Sequence, residues 1–270
     1  MIKEITCEKA IDTEHQPDGG KTPVVDAYDG CQLKCPYCFQ WADPVWNKHI
    51  WVKTNLPEIL TRELAGWDPA QSLYVGSRSD PYLPLEGKYR LTRQVLRVLL
   101  EHGIHCILST KSSTPALLDD IEIFRKFGDR LVVCVGQANL GHIQKTTEPS
   151  RLPNIRLANE LARQGIQTWV FITPTLPGIT DVKAMIQALP AETPIYLDKL
   201  RLEVGGGNTE RFLKHLDRYY PSLKPRYLQL IETGSDPYYQ ELKEMYYIDP
   251  RIKLSLARLD RNSQTKTQPK

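Results

Sequence analysis

Short apolar runs rich in β-branched residues alternate with stretches of helical period from Val24 onward, and this alternation restricts the fold more than any other feature of the chain. Strands are expected at Val24–Tyr28, Ser72–Gly76, His105–Ser109, Leu131–Val135, Thr168–Thr173 and Ile195–Leu200. Between them, Leu56–Ala65 and Thr92–Gly103 carry apolar residues at i, i+3, i+4 spacing, and the second ends on a glycine suited to a helix C-terminus. Further helices are expected at Pro115–Phe127, Ile155–Gly165, Asp181–Ala188 and Glu210–Arg218. Strand, helix, strand in that order reads as a βαβ unit with parallel strands. Six repeats predict an α/β chain folded as a partial (β/α)6 TIM-type barrel, with its working residues in the loops after the strand C-termini.

At 270 residues the chain is long enough for one such barrel. Residues 1–22 read as an N-terminal extension and 23–220 as the barrel. In 221–270 short tyrosine-rich pieces replace the repeat, which suggests a C-terminal cap segment over the open side, followed by a basic tail. The 41% hydrophobic and 25% charged content is that of a soluble globular protein. There is no apolar run of the about 20 residues that a membrane span needs, and the first residues lack the apolar core of a secretory signal. A cytoplasmic protein with no membrane partner is expected. A net charge of +3 is too mild to indicate nucleic acid, although the basic tail leaves that partner open.

Six cysteines are placed unevenly, three of them within Cys31-Gln32-Leu33-Lys34-Cys35-Pro36-Tyr37-Cys38, directly after the first expected strand. Disulfide frameworks belong to small secreted chains, so this C-x3-C-x2-C loop reads as a metal site. Three thiolates can each take one corner iron of a cubane and leave the fourth iron open, whereas electron-transfer clusters generally use four. Zinc is the competing metal. It wants four ligands in two clipped pairs, and the extra candidates His49 and Asp43 form no second clip.

The C-x3-C-x2-C loop, with Tyr37 just before its last cysteine, resembles the cluster motif of the radical SAM superfamily. Gly76-Ser77-Arg78-Ser79-Asp80-Pro81-Tyr82, Ser109-Thr110-Lys111-Ser112, Glu148-Pro149-Ser150-Arg151 and Thr173-Pro174-Thr175-Leu176-Pro177-Gly178 further resemble its spore photoproduct lyase-like, DNA repair photolyase-like branch. The resemblance implies a [4Fe–4S] cluster on Cys31, Cys35 and Cys38, with S-adenosylmethionine (SAM) chelating the open iron. Cleavage of SAM would give a 5′-deoxyadenosyl radical, and the electron would come from a donor such as flavodoxin or ferredoxin. It places Tyr37 and Phe39 near adenine, Ser77 and Ser79 on the SAM side with Ser79 hydrogen-bonding SAM, and Lys111 against the SAM carboxylate. Gln137 would face the ribose or methionine portion, and Thr173 would offer backbone groups to adenine. Spore photoproduct lyases carry a hydrogen-donating cysteine where this chain has Ser77. A serine O–H bond is too strong for that role, so the resemblance does not extend to lesion repair by that route.

The expected activity is therefore radical SAM chemistry on a small-molecule or peptide substrate. A nucleic-acid repair or modification enzyme, or a non-enzymatic iron–sulfur redox protein, are the alternatives. Tyr28, Trp41 and Tyr82 could line the substrate side. Cys106 and Cys134 read as core residues, with Cys134 the better placed for hydrogen donation. Gly205-Gly206-Gly207-Asn208 reads as a turn, and Asp236-Pro237 as a helix start. His49, His102, His105 and His142 show no metal spacing.

Overall fold

The computed structural model describes residues 1–15, 20–43, 45–46, 48–137 and 149–256. Its strands are β1 (Ile2–Ile5), β2 (Asp12–His15), β3 (Lys21–Val25), β4 (Tyr28–Asp29), β5 (Ile50–Lys53), β6 (Leu73–Val75), β7 (Cys106–Thr110), β8 (Leu131–Gly136), β9 (Thr168–Thr175), β10 (Ile195–Lys199) and β11 (Ile252–Ser255). Eight of them form one sheet in the order β11-β10-β9-β8-β7-β6-β3-β2. All neighbours in it are parallel except β2, which runs antiparallel to β3. This is the partial TIM-type barrel expected from the alternation, with helices on the outer face.

Alternation along each strand separates two faces. Leu73 and Val75, Leu108, Val133, Val170 and Ile172, and Ile195 and Leu197 are buried in the main core against the helices. The opposite face carries Tyr74, Ile107, Ser109, Val132, Cys134, Trp169, Phe171 and Tyr196, nearly all half-buried. The register places Tyr74 beside Ile107, Ser109 beside Cys134, Cys134 beside Trp169, and Phe171 beside Tyr196. The concave side is thus an aromatic-walled trough.

Several features depart from the sequence reading. The stretch Pro115–Phe127 is two helices, Pro115–Leu118 and Ile121–Phe127, because buried Asp120 turns inward to Arg93 and to the Tyr82 hydroxyl at 2.9 Å. Residues 1–22 contribute β1, which pairs with β5, and β2, which extends the main sheet. Beyond Tyr220, the helices Lys224–Thr233 and Pro237–Tyr246 lead into β11, which adds a seventh parallel strand beside β10. Three tyrosines of this segment, Tyr227, Tyr239 and Tyr246, are buried, whereas Tyr247 is exposed. Tyr227 and Tyr239 join Leu176, Leu200, Phe212, Leu216, Cys35 and Tyr37 in a second apolar cluster. Their hydroxyls donate to the Pro177 carbonyl at 2.9 Å and the Thr175 carbonyl at 3.2 Å, fixing the loop that follows β9. Asp236 does start a helix, accepting the Tyr238 N–H at 2.9 Å. No described helix is long and apolar enough to cross a membrane.

Candidate active site

The cysteine loop directly follows β4, a short way beyond the end of β3, and is held by contacts to its backbone. Gly30 adopts a φ of 91°, a conformation that glycine enters without steric cost, so that Cys31 can turn away from the sheet. The Cys38 N–H reaches the Cys35 carbonyl at 3.2 Å, and the Trp41 N–H reaches Cys38 at 3.1 Å. From outside the turn, the Trp41 indole donates to the Cys35 carbonyl at 3.0 Å, and the Ser79 hydroxyl donates to the Gly30 carbonyl at 2.7 Å. The Leu85 N–H binds the Gln32 side chain at 3.0 Å.

None of the six cysteines is paired in a disulfide. Cys35 is buried, and Cys31 and Cys38 are half-buried. Burial pushes all three thiols up, Cys31 to about 12, whereas Lys111 pulls Cys35 and Cys38 back toward the thiolate. Such thiols stay protonated at neutral pH unless a metal displaces the proton. Among the described residues no three His, Cys, Asp or Glu side chains are gathered closely enough to share a single metal ion. A cubane differs from zinc in spreading its thiolates over separate corner irons.

Two buried carboxylates, outside the set expected from the sequence, organise the neighbouring loops. Asp80 accepts the Lys111 N–H at 2.6 Å, the Tyr82 N–H at 2.9 Å and the Thr110 hydroxyl at 2.9 Å, which ties the loop after β6 to the end of β7. Asp26, at the end of β3, faces the Arg78 and Ser79 N–H groups at 3.4 Å; burial pushes its carboxyl up to about 6. Asn154, at the start of the helix Pro153–Arg163, donates to the Lys111 carbonyl at 2.9 Å and the Gly136 carbonyl at 2.5 Å. That amide clamps the ends of β7 and β8 together. The Lys111 side chain then lies across Gly136, where a Cβ would stand 2.6 Å from the lysine Cγ.

A cleft of about 200 Å³ opens at this end of the barrel, its lining including Leu33 of the cysteine loop, Lys111, Ser112, Gln137 and Asn154. The Ser112 hydroxyl and the Gln137 amide nitrogen are buried in it without a hydrogen-bond partner among the described residues. Buried polar atoms normally have partners. A cation beside two unsatisfied polar groups therefore fits a ligand with a carboxylate and further polar atoms, as SAM has, and the residues present suit both cofactors.

The expected site residues separate into groups. Lys111 and Gln137 share the cleft. Tyr37 is buried beside the Cys35 sulfur, favouring its thiolate. The Ser79 hydroxyl anchors the cysteine loop, and Thr173 is half-buried on β9. Ser77 bonds to Glu14 on β2, and Phe39 stands 60% exposed on the rim, so neither lines the cleft. Glu148, His142 and the tail from residue 257 lie outside the described residues.

Tyr28 and Tyr82 do not line the substrate side. They are 1% and 0% exposed and donate to Glu86 and Asp120 within the main core. Trp41 belongs to the cysteine turn. The trough holds instead Tyr74, Trp169, Phe171 and Tyr196, the last two with ring centroids 5.1 Å apart. Cys134 is buried at its floor, and burial pushes its thiol up to about 12. Near the end of β10 the Arg201 guanidinium donates to Asp198 at 2.8 Å and to the Ser255 hydroxyl at 3.1 Å. The period-2 alternation of β9 and β10 could have revealed Trp169, Phe171 and Tyr196; Asp80 was marked only as part of the Gly76–Tyr82 string, and nothing local marks Asn154.

A sequence profile of the Radical SAM superfamily matches residues 25–189. An uncharacterized protein of Methanocaldococcus jannaschii is 29% identical over 231 residues, covering 82% of this chain and 84% of the relative. A radical SAM Nα-GlyT isomerase of Pseudomonas phage M6 is 22% identical over 240 residues, covering 83% of this chain and 50% of the relative. Among solved structures, a spore photoproduct lyase variant superimposes with a TM-score of 0.63 at 13% identity, over 95% of this chain and 82% of that one. Spore photoproduct lyase complexed with dinucleoside spore photoproduct gives 0.62 at 13% identity, over 95% and 82%.

Proposed function

The chain belongs to the radical SAM superfamily, whose enzymes carry a [4Fe–4S] cluster and SAM, and on that premise we propose that it opens a C–H bond in a small-molecule or peptide substrate lying along the aromatic trough. When bound, these cofactors supply one-electron cleavage of a C–S bond, giving methionine and a 5′-deoxyadenosyl radical able to abstract hydrogen. The observation that supports the reading is the juxtaposition of the cysteine loop with a cleft holding Lys111 and two unsatisfied polar groups, on Ser112 and Gln137.

Each residue then has a defined task. Cys31, Cys35 and Cys38 hold three corner irons. Lys111 neutralises the SAM carboxylate, since a charge buried there needs a partner. Gln137, whose N–H is fixed to the Phe171 carbonyl at 2.7 Å, offers its amide to the ligand. Tyr74, Trp169, Phe171 and Tyr196 exclude water from the substrate and present ring faces to it. Ser77, bonded to Glu14, donates no hydrogen atom.

Anaerobic reconstitution, reduction with dithionite and assay for 5′-deoxyadenosine tests the proposal. Release of 5′-deoxyadenosine that depends on all three cysteines is expected. Its absence from protein carrying a full complement of iron and sulfide would refute the reading. A substrate bearing a nucleobase is a second reading, favoured by the trough, because base–aromatic stacking contributes about 1–3 kcal/mol per base. Oligonucleotide binding that weakens steeply with salt would support it.

A further inference from the structure

Among the described residues, the cleft and trough leave unused the charged outer face of the helix Gly207–Tyr219. Its inner face carries Phe212 and Leu216, both fully buried in the cluster that contains Cys35 and Tyr37. At 3.6 residues per turn, Arg211, Lys214 and Arg218 fall within about 60° of one another, roughly opposite those two side chains. Asp217 lies off the stripe and pairs with Lys224 at 2.6 Å. Among the described residues, Lys34, Arg211, Lys214 and Arg218 form no salt bridge with a carboxylate.

The stripe begins against the cysteine loop. The Arg211 guanidinium stacks 3.9 Å from the Trp41 ring centroid and donates to the Lys34 carbonyl at 3.4 Å. Phe39, next in the chain to Cys38, is 60% exposed. We propose that Lys34, Phe39, Arg211, Lys214 and Arg218 form the docking surface for a small acidic one-electron carrier protein. The inference rests on the cluster reading above. One electron passes from the reduced carrier to the oxidised cluster, leaving the carrier oxidised by one electron, and no bond is made or broken between the proteins. Cations that meet no carboxylate among the described residues, with an exposed apolar residue in the adjoining cysteine loop, suit a brief encounter steered by charge. The path is short, because a helix with its side chains is only about 10 Å across.

The test uses the reconstituted enzyme and reduced ferredoxin of strongly negative net charge, with cluster bleaching followed by stopped-flow absorbance. In K214E/R218E the second-order rate of bleaching by ferredoxin is expected to fall about tenfold or more at low ionic strength and to lose its salt dependence. Bleaching by dithionite should stay unchanged, as should the dithionite-driven yield of 5′-deoxyadenosine. K214A/R218A should shift the ferredoxin rate in the same direction by less, which guards against misfolding of the reversed variant. An unchanged ferredoxin rate in either variant with full iron content would overturn the proposal. So would a wild-type cluster that dithionite reduces but ferredoxin does not. Loss of oligonucleotide binding with an unaltered ferredoxin rate would assign the stripe to nucleic acid. Failure of dithionite-reduced protein to cleave SAM would instead refute the radical reading, since bleaching is measured independently.

Discussion

Lys111 shows how far a single residue can be read from sequence. Its place in a loop after an expected strand was legible; what holds it was not. Asp80 fixes its N–H, Asn154 its carbonyl, and Gly136 leaves room for its side chain, and these groups come from three different segments. Lys111→Met should weaken SAM binding roughly 10- to 100-fold, the equivalent of about 1.5–3 kcal/mol for a charged hydrogen bond, while iron content stays constant. Gly136→Ala should act in the same direction but less, because its Cβ displaces the lysine stem. Calorimetric titration of SAM into the reconstituted variants would measure both. Asp26 gives a prediction in pH. Burial raises its carboxyl from 3.8 to about 6, so between those values the folded chain keeps a proton that the unfolded chain has lost. Stability therefore falls as pH rises through that window, and the cost persists at neutral pH. Asp26→Asn should be more stable than wild type at pH 7, by at most about 1–3 kcal/mol, with no such gain near pH 3.5 in denaturant titrations.

Elements with a clear local period were legible: the six expected strands and most helices lie within a few residues of their predicted positions. β1, β5 and β11 were not, because four-residue strands carry little period and depend on partners distant in sequence. β11 pairs with a strand 57 residues earlier, Ile252 facing Ile195. The helix Gly207–Tyr219 was expected to start three residues later, at Glu210, as Gly205 to Asn208 read as a turn. Gly207 is instead its first residue and packs against the cysteine turn, where a Cβ would meet the Trp41 carbonyl at 2.4 Å. Gly207→Ala should therefore push the helix off that turn, at about 1–3 kcal/mol for overpacking. The expected outcome is a lower thermal midpoint and fewer irons per chain after reconstitution. A variant with unchanged midpoint and iron content would show that this contact does not hold the loop.

At the scale of the molecule, the parallel strands of one sheet bring their ends to a common edge, so Leu33 of the cysteine loop, Lys111 after β7, Gln137 after β8 and Asn154 meet around one cleft. Chain order was enough to anticipate that convergence, and the resemblance of the cysteine loop to the radical SAM motif implied the cofactors. They could not show that the trough wall is aromatic or that the tyrosine-rich C-terminal segment forms a second core behind the cysteines, because both follow from which faces the strands and helices bury. The account depends on an iron that the protein leaves for SAM. Electron–nuclear double resonance on the reduced, reconstituted protein, with SAM isotopically labelled at its amino and carboxylate groups, tests this directly. Coupling of both labels to the cluster is the predicted result, lost or weakened in Lys111→Met. A cluster with full iron and sulfide whose spectrum is unaltered by SAM would contradict the account.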